Sequence, residues 1–113
     1  MLKVTIATEG KKLSLRLEGH AGYAEVGKDI VCASASILAY TVAQIVDIKA
    51  HGGCLKEPAV IRLKSGDTEV ACVPKDGAYD ALWDAYDFAR LGYFLLAHNY
   101  PQYVELITDG KAE

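Results

Sequence analysis

The sequence predicts an α+β domain in the order ββαββαβ, a largely antiparallel sheet with two helices. Three observations predict it. Apolar and polar residues alternate in two pairs of short segments, each pair joined by a polar turn. Two longer segments place their apolar residues at helical spacing instead. At 113 residues the chain has the size of one domain, 1–113, with no repeat, linker or low-complexity stretch to divide it.

The elements follow in order. Leu2, Val4 and Ile6 alternate with polar residues and predict a half-buried strand. Glu9-Gly10-Lys11-Lys12 is a turn, and Leu13, Leu15 and Leu17 alternate with Ser14, Arg16 and Glu18 in a second strand that closes a hairpin. The glycine-rich segment from Gly19 to Lys28 has the composition of a mobile loop. Asp29 is a good N-cap for a helix over 30–49, whose apolar residues cover more than one face and predict a largely buried element. His51-Gly52-Gly53 ends it. Val60, Ile61 and Leu63 form a strand, Lys64-Ser65-Gly66-Asp67 a turn, and Val70, Ala71, Cys72 and Val73 the returning strand. Leu82, Ala85, Tyr86, Ala89, Tyr93 and Leu96 mark a helix over 79–99, Pro101 stops it, and residues 103–107 form a last short strand. A sheet this small leaves its edges open, and pairing across a two-fold axis into a homodimer is one remedy.

Composition narrows the function. Apolar residues make up 51% and charged residues 24%, the balance of a globular protein. With 12 Lys and Arg against 15 Asp and Glu, the formal charge is −3, and no basic face is available for nucleic acid phosphates. No apolar run approaches the about 20 residues that span a bilayer, and the alternating start Met1-Leu2-Lys3-Val4-Thr5-Ile6 is unlike a signal peptide. These features predict a cytoplasmic protein without a membrane partner. Three cysteines, Cys32, Cys54 and Cys72, cannot all pair within one chain and read as free thiols in a reducing compartment.

Chemistry concentrates around Cys32. Capped by Asp29, it is the third residue of the first helix, where unpaired backbone N–H groups favour thiolate over thiol. A thiolate is the nucleophilic form of cysteine, and the same N–H groups offer an oxyanion hole for a carbonyl under attack. His20 closes the preceding strand, and the intervening loop is long enough to bring imidazole to sulfur as base and then acid. Ser36, four residues after Cys32, shares its helical face. On spacing alone the alternative stays open: Cys32 as a small buried hydrophobe and His20 as a structural residue.

The pattern of residues speaks further. Gly19-His20-Ala21-Gly22-Tyr23-Ala24, followed by Gly27-Lys28-Asp29-Ile30-Val31-Cys32-Ala33, resembles the signature of the ribosomal-processing cysteine proteases, the Prp family. Two separated blocks match at the right distance, Ser36 fits the serine four residues past the cysteine, and Tyr100-Pro101-Gln102-Tyr103-Val104 looks like the family's closing segment. Ser34, within Ala33-Ser34-Ala35, departs from the family's usual run but faces away from Cys32 on the helix. The resemblance implies a cysteine endopeptidase that removes the N-terminal extension of a large-subunit ribosomal protein. It implies His20 and Cys32 as the catalytic pair, with Gly19, Gly22, Asp29, Ala33 and Ser36 as supporting or substrate-binding positions. It also implies a homodimer with a mobile loop between histidine and cysteine; no cofactor is expected.

Other constellations weigh less. Gly22-x-x-x-x-Gly27-Lys28 approaches a phosphate-binding loop, but Asp29 stands where a magnesium-binding hydroxyl is needed and would repel a phosphate. The cysteines with His20, His51 and His98 lack metal-ligand spacing, so no metal site is expected. Cys72 reads as core and Cys54 as half exposed; His51 and His98 read as helix ends, where positive charge suits the dipole. Tyr79, Trp83, Tyr86, Phe88, Tyr93 and Phe94 read as core or dimer interface rather than an RNA-stacking surface. Two non-protease readings remain: a ribosome-associated peptide-binding module that docks through residues 21–28, and a thiol redox or transferase protein, against which the lack of a cysteine near Cys32 argues.

Overall fold

Alternation along the first hairpin decides which face of the sheet is buried. In the computed structural model, which describes residues 1–25 and 27–109 and the backbone of 111–112, β1 (Leu2–Glu9) and β2 (Lys12–Glu18) pair antiparallel, with Val4 opposite Leu17 and Ile6 opposite Leu15. β3 (Val60–Lys64) and β4 (Asp67–Cys72) form the second hairpin. β4 pairs antiparallel with β2, setting Val70 opposite Leu15 and Cys72 opposite Leu13. β5 (Val104–Thr108) returns parallel to β1, with Leu106 opposite Val4. A two-residue β6 (Lys111–Ala112) closes the order β3-β4-β2-β1-β5-β6. The architecture is the α+β one expected: a mixed, mostly antiparallel open sheet with two helices.

Leu2, Val4, Ile6, Leu13, Leu15, Leu17, Val70, Val104 and Leu106 all point into one core layer. Helices α1 (Ile30–His51) and α2 (Tyr79–Asn99) cover it. α1 lays a narrow stripe inward: Val31, Ala35, Ala39, Val42, Ala43 and Val46. Here the expectation of a largely buried helix fails. Alanines let the helix approach closely, while Ile30, Ile37 and Ile48 remain more than half exposed, at 54%, 61% and 59%. A second expectation is also corrected: by length and composition α1 is apolar enough to cross a bilayer. Its alanine stripe instead packs in the core, and the buried Tyr93 hydroxyl of α2 donates to the Ala35 carbonyl at 2.8 Å.

Smaller differences have local causes. α1 continues through His51 to a Gly52 cap, with the His51 Nδ1 2.9 Å from the Asp47 carbonyl oxygen. Tyr103 lies in the turn before β5, because its N–H donates back to the Tyr100 carbonyl. A 3-10 turn, Asp76–Ala78, leads into α2. Of the aromatic stripe, Tyr86 and Tyr93 are buried, whereas Trp83, Phe88 and Phe94 are exposed.

The topology gathers three segments at one end of the sheet. β2 ends at Glu18 directly opposite Asp67, the first residue of β4. The β3–β4 turn therefore lies beside the start of the 19–29 loop, and that loop runs straight into the first turn of α1.

Candidate active site

Asp29 organises this corner. Extended backbone at Asp29 turns the chain into α1, and its Oδ1 accepts from the N–H groups of Val31 at 3.0 Å and Cys32 at 2.9 Å. The other oxygen, Oδ2, accepts from Tyr23 at 3.0 Å and Ala24 at 3.3 Å. One carboxylate thus caps the helix and ties the loop to it. Desolvation pushes the Asp29 carboxyl up, but donors from Cys32, Ala24, Tyr23 and Val31 outweigh it and hold the group below its ordinary value. Val26 lies outside the described residues, so the expectation of a mobile loop is not addressed at that position.

The cap corrects one expectation. The sequence predicts first-turn backbone amides free to hold an oxyanion, yet Asp29 Oδ1 occupies those of Val31 and Cys32, and the Ala33 N–H donates to the Asp29 carbonyl at 3.0 Å. The donor that does reach the sulfur comes from the loop. The Ala21 N–H donates to Cys32 Sγ at 3.3 Å. Sequence reasoning missed it because the role belongs to a backbone group, which alanine does not advertise.

Cys32 is half-buried, with its sulfur packed at the edge of the core, and His20 is exposed. Two clefts meet over them, and His20, Cys32, Ser36 and Ser65 line both. Gly19 lines one; Gly22, Asp29 and Ala33 line the other. All seven residues singled out from the sequence therefore surround one surface region. Ser34 faces away, donating to the Ile30 carbonyl at 2.7 Å. Among the described residues no hydrogen bond joins the His20 ring to the sulfur, and the imidazole lies against Gly66 of the β3–β4 turn. That turn contributes Ser65 and Gly66, which no motif in the sequence singles out.

A second anchor holds the loop. The Tyr23 ring packs edge-on between Tyr100 and Tyr103, with centroids 5.5 and 5.2 Å away. The closing segment quoted for its family likeness therefore touches the loop that leads to Cys32. The other cysteines differ in setting. Cys72 is 2% exposed, and burial pushes its thiol up despite a contact from the Tyr86 hydroxyl. Cys54 is half-buried against the Gly52 carbonyl. Clefts along α2, beside Arg90 and beside His98, contain no cysteine.

What such a corner can do chemically is bring a carbonyl to a half-exposed sulfur, with an amide donor at the sulfur and an imidazole in the same cleft. The comparisons agree in kind. A family model described as cysteine protease Prp matches residues 1–105. The fold is similar to the ribosomal processing protease Prp from S. aureus in complex with a covalently linked product peptide, with TM-score 0.71 and 21% identity over 96% of this chain and 99% of that one. It is similar to the same S. aureus protease in complex with a substrate peptide, with TM-score 0.65 and 20% identity over 96% and 99%. A third similar structure is SMU.848 from Streptococcus mutans, with TM-score 0.67 and 24% identity over 96% and 93%. No curated protein sequence matches the chain.

Proposed function

Since this chain belongs to the family of cysteine protease Prp, we propose that Cys32 is its nucleophile, that His20 is its base, and that it processes a ribosomal protein in the cytoplasm. His20 takes the Cys32 proton, and the sulfur adds to the scissile carbonyl carbon. The tetrahedral adduct collapses with loss of the amine, which leaves with the proton from imidazolium. Water, deprotonated by the neutral imidazole, then splits the Cys32 thioester to a free carboxylate and restores the thiol. The Ala21 N–H, already aimed at the sulfur, is the amide placed to stabilise negative charge there. Asp29 holds the loop that presents it.

The observation that supports this reading most is the Cys32 sulfur itself: half-buried, in the first turn of α1, in clefts it shares with His20. For the substrate, the S. aureus relative is a ribosomal processing protease seen with substrate and product peptides, and we extend it to the N-terminal extension of a large-subunit ribosomal protein. A peptide spanning such a junction is the test. Cleavage by the wild type and none by Cys32→Ala supports the reading; equal cleavage by both sinks it.

Pairing into a homodimer is the assembly proposed with it, supported by apolar residues left exposed on the helices, Ile37 at 61%, Phe88 at 74% and Leu95 at 58%. Sedimentation equilibrium giving a monomer mass at micromolar concentration would remove that part alone.

A further inference from the structure

We infer that the β3–β4 turn is the seat of the catalytic imidazole, and that Gly66 positions His20 by lacking a side chain; this rests on the reading of His20 as the base. Among the described residues the His20 ring makes no hydrogen bond, so packing, not a carboxylate or amide partner, fixes its orientation. The packing is specific. A Cβ placed on Gly66 would stand 2.9 Å from His20 Nε2 and 3.2 Å from Cε1, inside the contact distance of carbon and nitrogen. The backbone is tied at the same point, because the Gly19 N–H donates to the Gly66 carbonyl at 3.0 Å. Strand register supplies the reason: Glu18 pairs with Asp67, so the residue before His20 meets the turn wherever β2 and β4 pair. Ser65, next to Gly66, lines both clefts with His20 and Cys32.

A methyl group at residue 66 would displace the ring rather than unfold the protein. His20 is exposed, so a ring crowded at Gly66 has room to shift outward. The damage falls on the geometry of proton transfer, where a displacement of about 1 Å costs on the order of 100-fold in rate. Gly66 also has a positive φ of +75°, which strains any other residue. That second effect has a matched control in this chain. Gly10, in the β1–β2 turn, has φ +61° and nothing within reach of an added Cβ. Gly10→Ala carries the strain without touching the imidazole.

The experiment compares Gly66→Ala, Gly66→Asn and Gly10→Ala for melting temperature and for kcat and KM on the junction peptide. Asn tolerates positive φ better than Ala yet still fills the space, so it keeps the test sound if the alanine variant folds poorly. Both Gly66 variants are expected to lower kcat by about 10- to 100-fold with KM changed less than about threefold. Gly10→Ala should lower the melting temperature as Gly66→Ala does and leave kcat alone. In a His20→Ala background, Gly66→Ala should have no further effect on the residual rate. A kcat for Gly66→Ala and Gly66→Asn equal to or above that of Gly10→Ala overturns the inference, as does additivity with His20→Ala. Full activity in His20→Ala overturns the base assignment and the inference together; loss there with unaffected Gly66 variants overturns the inference alone.

Discussion

The Ala21 N–H points at the Cys32 sulfur from 3.3 Å. Ala21 is buried, at 3% exposure, and directly follows His20. The proposed base and the sulfur's amide donor therefore arrive on adjacent residues of one loop, and whatever places the loop places both. Among the described residues, the Oδ2 of Asp29, the aromatic cradle around Tyr23 and the Gly19 N–H bond to the Gly66 carbonyl all hold it.

Removing that donor tests its weight. Ala21→Pro deletes the N–H, and a hydrogen bond to a charged acceptor contributes about 1.5–3 kcal/mol. Alkylation of Cys32 and peptide cleavage should each slow by about tenfold or more, while Ala21→Gly, which retains the N–H, should stay near wild type. Circular dichroism would establish that the proline variant is folded. An unchanged alkylation rate in a folded Ala21→Pro protein would remove the amide from the mechanism.

Asp29 predicts an acid limb of stability. Its folded carboxyl titrates below the ordinary 3.8 because backbone donors prefer the charged form. A lowered folded value means that the contribution is present above 3.8 and lost as pH falls through the folded value. Asp29→Asn keeps a capping oxygen but cannot titrate, so its stability deficit against wild type should be constant near neutral pH and shrink below 3.8. Asp29→Ala should cost about 0.5–2 kcal/mol in urea unfolding at neutral pH. A deficit for Asp29→Asn that is flat down to strongly acidic pH would contradict the assignment.

Much of this was legible in the sequence, and for physical reasons. Leu13, Leu15 and Leu17 betray β2 because a pleated strand turns alternate residues to the core. Cys32 and His20 stand out because two separated blocks around them resemble one family signature, at a helix start that suits a thiolate. Asp29 was found because a carboxylate before a helix has one common use. The rest depended on backbone atoms and on register. Nothing in the letters marks Ala21 as a donor to sulfur, and nothing marks Gly66, whose role depends on β2 pairing with β4 so that Glu18 meets Asp67. The breadth of apolar residues on α1 misled, since composition does not reveal that alanines face inward and isoleucines outward.

The Tyr23 cradle gives a prediction that separates loop from fold. Aromatic pairs contribute about 0.5–1.5 kcal/mol each, and Tyr23 makes two, with Tyr100 and Tyr103. Tyr23→Ala should lower the melting temperature by only the several degrees that such pairs account for, because the ring is 42% exposed and outside the buried core. Amide exchange at Tyr23 and Ala24, whose N–H groups bond Asp29 Oδ2, should quicken by about tenfold or more, with cleavage falling alongside. Tyr23→Phe keeps both ring contacts and should behave as wild type. Protection at these amides that survives Tyr23→Ala would show that Asp29 alone holds the loop.

The three thiols should label in an order that the structure dictates. Cys32 is half-buried at a shared cleft with a backbone donor on its sulfur, so iodoacetamide should modify it first near neutral pH. Cys54, half-buried against the Gly52 carbonyl, has no such donor among the described residues and should follow slowly. Cys72 is closed off twice. At 2% exposure the reagent has no path to it, and burial raises its thiol above the ordinary 9.0. Its labelling should therefore track global unfolding, rising with urea alongside the loss of circular dichroism, and raising the pH toward 9.0 should not release it in the native protein. Because a thiol raised in the folded state favours the neutral form, stability from Cys72 is complete at neutral pH and declines only as the unfolded thiol begins to ionise in alkali. Mass spectrometry of peptides holding each cysteine reads all three rates in one experiment. Cys72 labelling in native buffer at the rate of Cys54 would mean that the β4 core opens without unfolding.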